Sequence, residues 1–419
     1  MTHRTLTAAL GAVLLLGTSC SSDTSEARPA ERPSSSTPGS GGDGHGAVDG
    51  AQEVAEPQLH LTTVDVTGRV GMLDLLTEET SAVGTVGEPS AVASDGRYVF
   101  ATTASGVEVV DSGVWTWNHG DHHHYYRAEP RVLGTVPGRG QATVSTGPLS
   151  TAGGTGLFLA GSGEAVLLDN EALADGELRE TFRVSTRPHD GLVAPFADGA
   201  VVTVPDASGT VTDVELVDAD GSPSPGTRTS CADASGTITT SVGLVVGCAD
   251  GALLWTEDGE RPAVERIPYP RGSQAPPATG FDARKGRPTV AALAGTDGFW
   301  LLDTRERTWR LHEVDVPLLR VSASDDVEGH VVALDRSGRV RVYAAGTGEQ
   351  LAVTAPLVAG SVRRPRAAAR VELVVDQERA YLSSPEEGVV HEIDYADSAR
   401  VARRLRTDVA PTFLAETGR

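Results

Sequence analysis

The sequence has little cysteine, three residues in 419, and no apolar run long enough to span a membrane as a helix. So few thiols exclude a cysteine-rich disulfide scaffold or a thiolate cage. Positive charge is also scarce: 35 Lys and Arg face 57 Asp and Glu, a net charge of -22. That balance lacks the basic footprint nucleic-acid binding requires, so no nucleic-acid partner is expected. Helical periodicity is nearly absent. Enzyme signatures are missing too: there is no G-x-S-x-G elbow, no G-x-x-x-x-G-K-[ST] loop and no H-E-x-x-H. Carboxylates are plentiful, but no pair stands out as an acid and its base.

The amino-terminal stretch reads as an export signal. Arg4 precedes the apolar run "LTAALGAVLLLG", which meets Ser19-Cys20. A basic start, a short apolar core and a small residue before Cys predict a signal peptide over 1–20. Cys20 is then a candidate lipid acceptor, anchoring the chain to the outer face of the cell membrane; simple secretion is the alternative. Residues 21–56 are mostly Ser, Gly, Pro and charge, too polar to offset the entropy of ordering, and read as a disordered linker. The folded body is expected over 57–419. In an exported protein, Cys231 and Cys248 are expected to pair as a disulfide.

Alternating Val, Leu and Thr runs separated by Gly and Asp fill the remainder. One unit recurs, an apolar run, a tight turn and a second run, as in "AVASDGRYVFATTASGVEVVD" and "GLVVGCADGALLWT". Asp-Gly and Ser-Gly between such runs are hairpin signals. Seven units recur at blade spacing, which predicts an all-β, single seven-bladed β-propeller, ahead of an eight-bladed ring or a pair of β-sandwiches. The segment "LHLTTVDVTGRVGMLDL" precedes the first unit and is expected to complete the last blade beside "ARRLRTDV", joining the ends.

Four of the eleven histidines fall within six residues, in "WNHGDHHHYYR". The excess length of the first interval between units falls here. This puts the cluster in an insertion between the third and fourth strands of a blade. His119, His122, His123 and His124 offer imidazole nitrogens, and Asp121 offers an oxygen ligand or a partner for a ring. A transition-metal site, a catalytic site and a plain polar loop are all compatible with these residues. Copper and nickel suit imidazole as zinc does. His189, beside Asp190 in "PHDGLVAPFADG", is a further candidate ligand near the central channel. Blade register places it on the opposite propeller face from the cluster. His330 and His391 read as structural.

"GVWTWNHGDHHHYYRAEPRVLGTV", "PHDGLVAPFADG", the Cys231–Cys248 block and "HEIDYADSARVARRL…APTFLAETGR" together resemble the AztD-type zinc metallochaperones. The resemblance covers most of the chain after residue 57. It implies an exported β-propeller that binds zinc and passes it to the solute-binding protein of a zinc ABC transporter. It also implies zinc ligation by His119, His122, His124 and His189, with His123 at a variable position. Two positions depart from the resembled pattern: Ser235 stands where a His follows the first Cys, and Asp190 stands in place of a second His.

Two readings follow. In the first, the His cluster carries zinc exchangeably; since imidazole ordinarily protonates near pH 6.5, affinity should fall between about pH 7 and 5. In the second, the chain is a surface-anchored propeller interaction module without a functional metal, which Ser235 favours. A hydrolase or lyase is a distant third.

Overall fold

The computed structural model describes residues 46–118, 122–259 and 261–419. Short antiparallel strands dominate, and the turns between them follow a local rule. Asp65, Asp206 and Asp335 each sit three residues before a glycine, in Asp-x-[Ser/Thr]-Gly. Each carboxylate accepts backbone N–H groups two and four residues on, which satisfies donors the turn would otherwise strand. At the last of the four positions the chain turns left-handed. Gly68 has φ of +85°, and a Cβ there would lie 2.1 Å from the Val86 carbonyl oxygen.

Among the described residues, eight sheets form the body. Blade 1 pairs the carboxy-terminal strand Phe413–Thr417 with His60–Val64, Arg69–Asp74 and Thr80–Thr85. Blade 2 holds Ala91–Ser94, Tyr98–Thr103, Gly106–Asp111 and, outermost, Arg131–Pro137. Blades 3, 4 and 5 follow over 142–185, 193–230 and 237–268. Blade 6 is three-stranded over 289–313, and blades 7 and 8 span 318–353 and 373–405. Within each of blades 2 to 8 the strands run from the innermost outward in chain order.

The apolar faces have nowhere to go but each other. Val64 and Val70 of blade 1 pack on Val99 and Val110 of blade 2. Corresponding clusters join every consecutive pair onward. The last one packs Tyr381, Val390 and Leu405 of blade 8 on Leu61, Leu73 and Leu414 of blade 1, closing the ring. Each such side chain contributes roughly 1.5–3 kcal/mol on full burial, so closure, rather than any single blade, supplies the stability.

The expected propeller is present, but the ring has eight blades rather than seven. The seven repeat units are blades 2 to 8. The segment ahead of them, read as lacking a blade, makes blade 1 once Phe413–Thr417 supplies its inner strand. "ARRLRTDV" is not that partner: Arg400–Leu405 is instead the outer strand of blade 8, paired with Val389–Asp394. Its alternation resembled a closing strand because an outer strand is likewise half exposed.

The ring's centre is crossed by protein. Asp282 and Ala283 bridge to the inner strands of blades 6 and 7, at Ala291 and Ala323. Lys285, the chain's one lysine, reaches across to donate to the Asp95 carbonyl of blade 2 at 2.7 Å. Cys231 and Cys248 are bonded in the apolar seam between blades 4 and 5, with Cα atoms 5.1 Å apart.

Of the stretch 21–56 read as a linker, residues 21–45 lie outside the described residues and 46–56 are described. Gln52–Val54 forms a strand, because a two-stranded insertion on blade 2 presents an open edge for it to pair with.

Candidate metal centre

That insertion lies between the third and fourth strands of blade 2, where the sequence placed it. It is a hairpin rather than a loop: Val114–Asn118 pairs with His123–Arg127, and Gln52–Val54 adds a third strand. His119 and Asp121 lie outside the described residues.

The pleat sorts the remaining histidines. Trp117 faces His124, and Trp115 faces Tyr126, as does Glu53 from the third strand. Residues directly opposite share a face and successive residues alternate. His124, Tyr126, both tryptophans and Glu53 therefore occupy one face, and alternation adds His122. The rings of His122 and His124 have centroids 4.7 Å apart. His123 points to the other face, stacked along Tyr125 at 6.4 Å. His122 is exposed and His124 half-buried on this face; two imidazoles side by side suit a borderline metal such as zinc, and the third is directed away.

The hairpin is held rigidly at its base. Arg97 and Asp111 form a buried bidentate pair, with Nε to Oδ1 at 3.0 Å and Nη2 to Oδ2 at 2.9 Å. The Arg97 guanidinium covers the Trp115 ring at 3.8 Å. Trp115 stacks on Tyr126 at 5.2 Å, and Tyr126 lies beneath His124 at 6.3 Å. Burial, with the nearby Glu53 carboxylate, raises the Tyr126 phenol above its ordinary value, so it stays protonated. Trp115 Nε1 donates to the Gly46 carbonyl at 3.1 Å. Gly46 itself has φ of +75° and no room for a Cβ, which would meet Trp117 Cγ at 2.4 Å. On a rigid scaffold of this kind, the side chains keep a defined spacing.

His189 lies apart from this hairpin in sequence and topology. It sits in the connection from the outer strand of blade 3 to the inner strand of blade 4, whereas the hairpin joins a third strand to a fourth. The two connections emerge on opposite faces of the ring. His189 is buried and packs on Phe158 at 4.4 Å. Its Nδ1 donates to the Arg187 carbonyl at 2.6 Å, and its Nε2 accepts from the Thr203 hydroxyl at 2.9 Å. To bind a metal there, Nε2 would have to give up Thr203. Asp190 is exposed. Ser235 donates its hydroxyl to the Thr279 carbonyl at 3.0 Å, a structural role in blade 5.

Sequence reading missed a second group. Asp326, Glu328 and His330, on the first turn of blade 7, bring one ligating atom each to within 4.8 Å of one another. The alternation Asp-x-Glu-x-His was the available signal. His330 Nδ1 is 2.5 Å from Asp326 Oδ2, and the adjoining cleft of about 340 Å³ is lined by Arg284, Arg287 and Arg379. Asp326, Glu328, Glu378 and Asp394 line the same cleft, and Arg287 and Arg379 pair with Asp325 and Asp394, so charge alone does not rank this group below the hairpin.

Fold and site together define a closed eight-bladed β-propeller carrying a histidine-bearing hairpin. The resemblance to AztD-type proteins holds in both sequence and fold. Zinc chaperone AztD of Citrobacter koseri is 26% identical over 265 residues, 60% of this chain and 60% of that protein. Two AztD structures from the same organism, one of them the apo form, superpose with TM-scores of 0.73 and 0.74 at 18% and 19% identity. Each comparison covers 86% of this chain and 98% of the other. The dihydro-heme d1 dehydrogenase NirN follows at a TM-score of 0.51 and 16% identity, covering 87% of this chain and 76% of its own. No protein-family model matches the chain.

Proposed function

We propose that this protein is an extracytoplasmic zinc metallochaperone, not an enzyme. It takes zinc on the hairpin and delivers it to the solute-binding protein of a zinc ABC transporter. The observation that carries the reading is the pair His122 and His124, 4.7 Å apart on one face of a braced hairpin, in a chain similar to a zinc chaperone. His119 and Asp121, outside the described residues, complete the proposed ligand set. His189 and Asp190 would form a separate site on the other face, reached only by breaking the Thr203 bond. Export and acylation at Cys20 would hold the body near the transporter, with the linker as tether.

The chemistry suits transfer. Neutral imidazoles bind zinc without burying it, and a partner's ligands can replace them one at a time. The test is titration of zinc into the metal-free chain against a competing chelator, followed by mixing with a metal-free zinc-transporter binding protein. Tight uptake of one or two ions and their appearance on the partner support the reading; weak, non-stoichiometric uptake sinks it. The placement of Ser235 and His189 in protein hydrogen bonds favours one alternative, an interaction module whose partner binding ignores chelator.

A further inference from the structure

The strap strand Gln52–Val54 brings one acid into the hairpin. Glu53 pairs opposite Tyr126 and reaches along the diagonal to His124, its Oε1 2.6 Å from Nδ1. A carboxylate oxygen only accepts, so Nδ1 carries a proton, and in the neutral ring Nε2 keeps the lone pair. A carboxylate in this relation to a ligating histidine fixes both its tautomer and its ring orientation. The strap is itself anchored on the same hairpin, through Trp115 on Gly46 and the close fit of Gly46 against Trp117.

We propose that Glu53 is a positioning residue of the zinc site, holding His124 with Nε2 directed to the metal beside His122. The inference rests on the hairpin being that site. Its consequence is that the end of the tether belongs to the metal centre: zinc uptake fastens the strap, and loss of the strap weakens zinc uptake. Because the two rings lie 4.7 Å apart, fixing one sets the geometry of the pair.

The test uses the full chain, stripped of metal, and its Glu53→Ala, Glu53→Gln and His124→Ala variants. Zinc affinity is read by chelator competition, and the His124 tautomer by long-range proton–nitrogen NMR of the imidazoles. Glu53→Ala is expected to weaken zinc by about 10–100-fold and to let His124 sample both tautomers. Glu53→Gln, which keeps an acceptor oxygen, should hold the Nδ1–H tautomer and lose only a few-fold. Wild-type affinity in Glu53→Ala overturns the proposal, as does a His124 tautomer indifferent to it. If Glu53→Ala melts early in its metal-free form, Glu53→Gln decides: a tautomer unlike wild type in that variant overturns the proposal. Should His124→Ala bind zinc as well as the wild type does, the hairpin reading itself falls, and this one with it. Loss in His124→Ala without loss in Glu53→Ala removes only the role of Glu53.

Discussion

The Thr116 hydroxyl donates to the Gly418 carbonyl at 2.7 Å, and the Gly418 amide donates to Gly96 at 2.7 Å. The penultimate residue of the chain is thereby clamped between the histidine hairpin and the first turn of blade 2. The strand that closes the ring also leads into the residue that seats the histidine hairpin. Thr116→Val removes one part-buried hydrogen bond and deprives a carbonyl of its donor, a loss of about 1 kcal/mol. Because that loss is local, amide exchange in Thr116, Trp117 and Tyr126 should accelerate roughly five-fold, as about 1 kcal/mol implies. Amides of the blade 7 core, such as Val332, should not change. Uniform acceleration across the ring would show that the clamp supports closure rather than the hairpin.

Alternation along His122-His123-His124 makes a prediction that composition does not. If the three rings acted as an undifferentiated polar cluster, each alanine substitution would weaken zinc alike. The pleat instead places His122 and His124 together and sends His123 to the far face. His122→Ala and His124→Ala should each weaken zinc by at least about 10-fold, as loss of a ligand implies, whereas His123→Ala should stay within about two-fold. Isothermal titration in the presence of chelator reads the difference. Equal losses at all three positions would refute the face assignment.

Periodicity read locally found the hairpin units and the insertion point, because each depends on residues close in sequence, and the expectation of export supplied the cysteine pair. Blade 1 was illegible for the opposite reason. Its inner strand, Phe413–Thr417, pairs with His60–Val64 across nearly the whole chain, and no local pattern announces that partnership. The short stretch "FLAET" carries only five residues of signal. Glu53 was hidden similarly. It lies at the end of a Ser/Gly/Pro-rich segment whose composition argues for disorder, and only the open edge of the hairpin recruits it into a strand. Blade register singled out His189 as a candidate and the family resemblance agreed, but its hydrogen bonds to Arg187 and Thr203 depend on tertiary packing.

Glu416, buried on the closing strand, sets a pH dependence. Desolvation pushes its carboxyl up to about 8; the nearby Arg419 guanidinium opposes that shift and Asp376 adds to it. Unfolded, the group titrates near 4.5. Above that value the unfolded chain loses a proton that the native state keeps, so its stabilising contribution, full below pH 4.5, is lost as pH rises through about 8. Thermal stability should therefore decline from pH 5 to pH 8. Glu416→Gln should raise the melting temperature at pH 8, by an amount corresponding to on the order of 1 kcal/mol or more. The gain should shrink steadily towards pH 4.5. A variant less stable than wild type at pH 8 would mean that the Arg419 ion pair outweighs desolvation.

The Cys231–Cys248 bond joins blade 4 to blade 5 with 17 residues of separation, all on the far side of the sequence from the hairpin strands. In an exported protein it would form on oxidation, and its main effect is to restrict the unfolded chain. Reduction, or the double substitution Cys231→Ser and Cys248→Ser, is expected to cost about 2–4 kcal/mol in urea unfolding. Substitution also places hydroxyls in an apolar seam containing Val246 and Trp255, so reduction alone should give the smaller loss. Zinc affinity of the reduced, still folded protein should match that of the oxidised form, because the thiols take no part in the proposed ligand set. An increase in zinc stoichiometry on reduction would instead identify the freed cysteines as ligands and require a metal site in that seam.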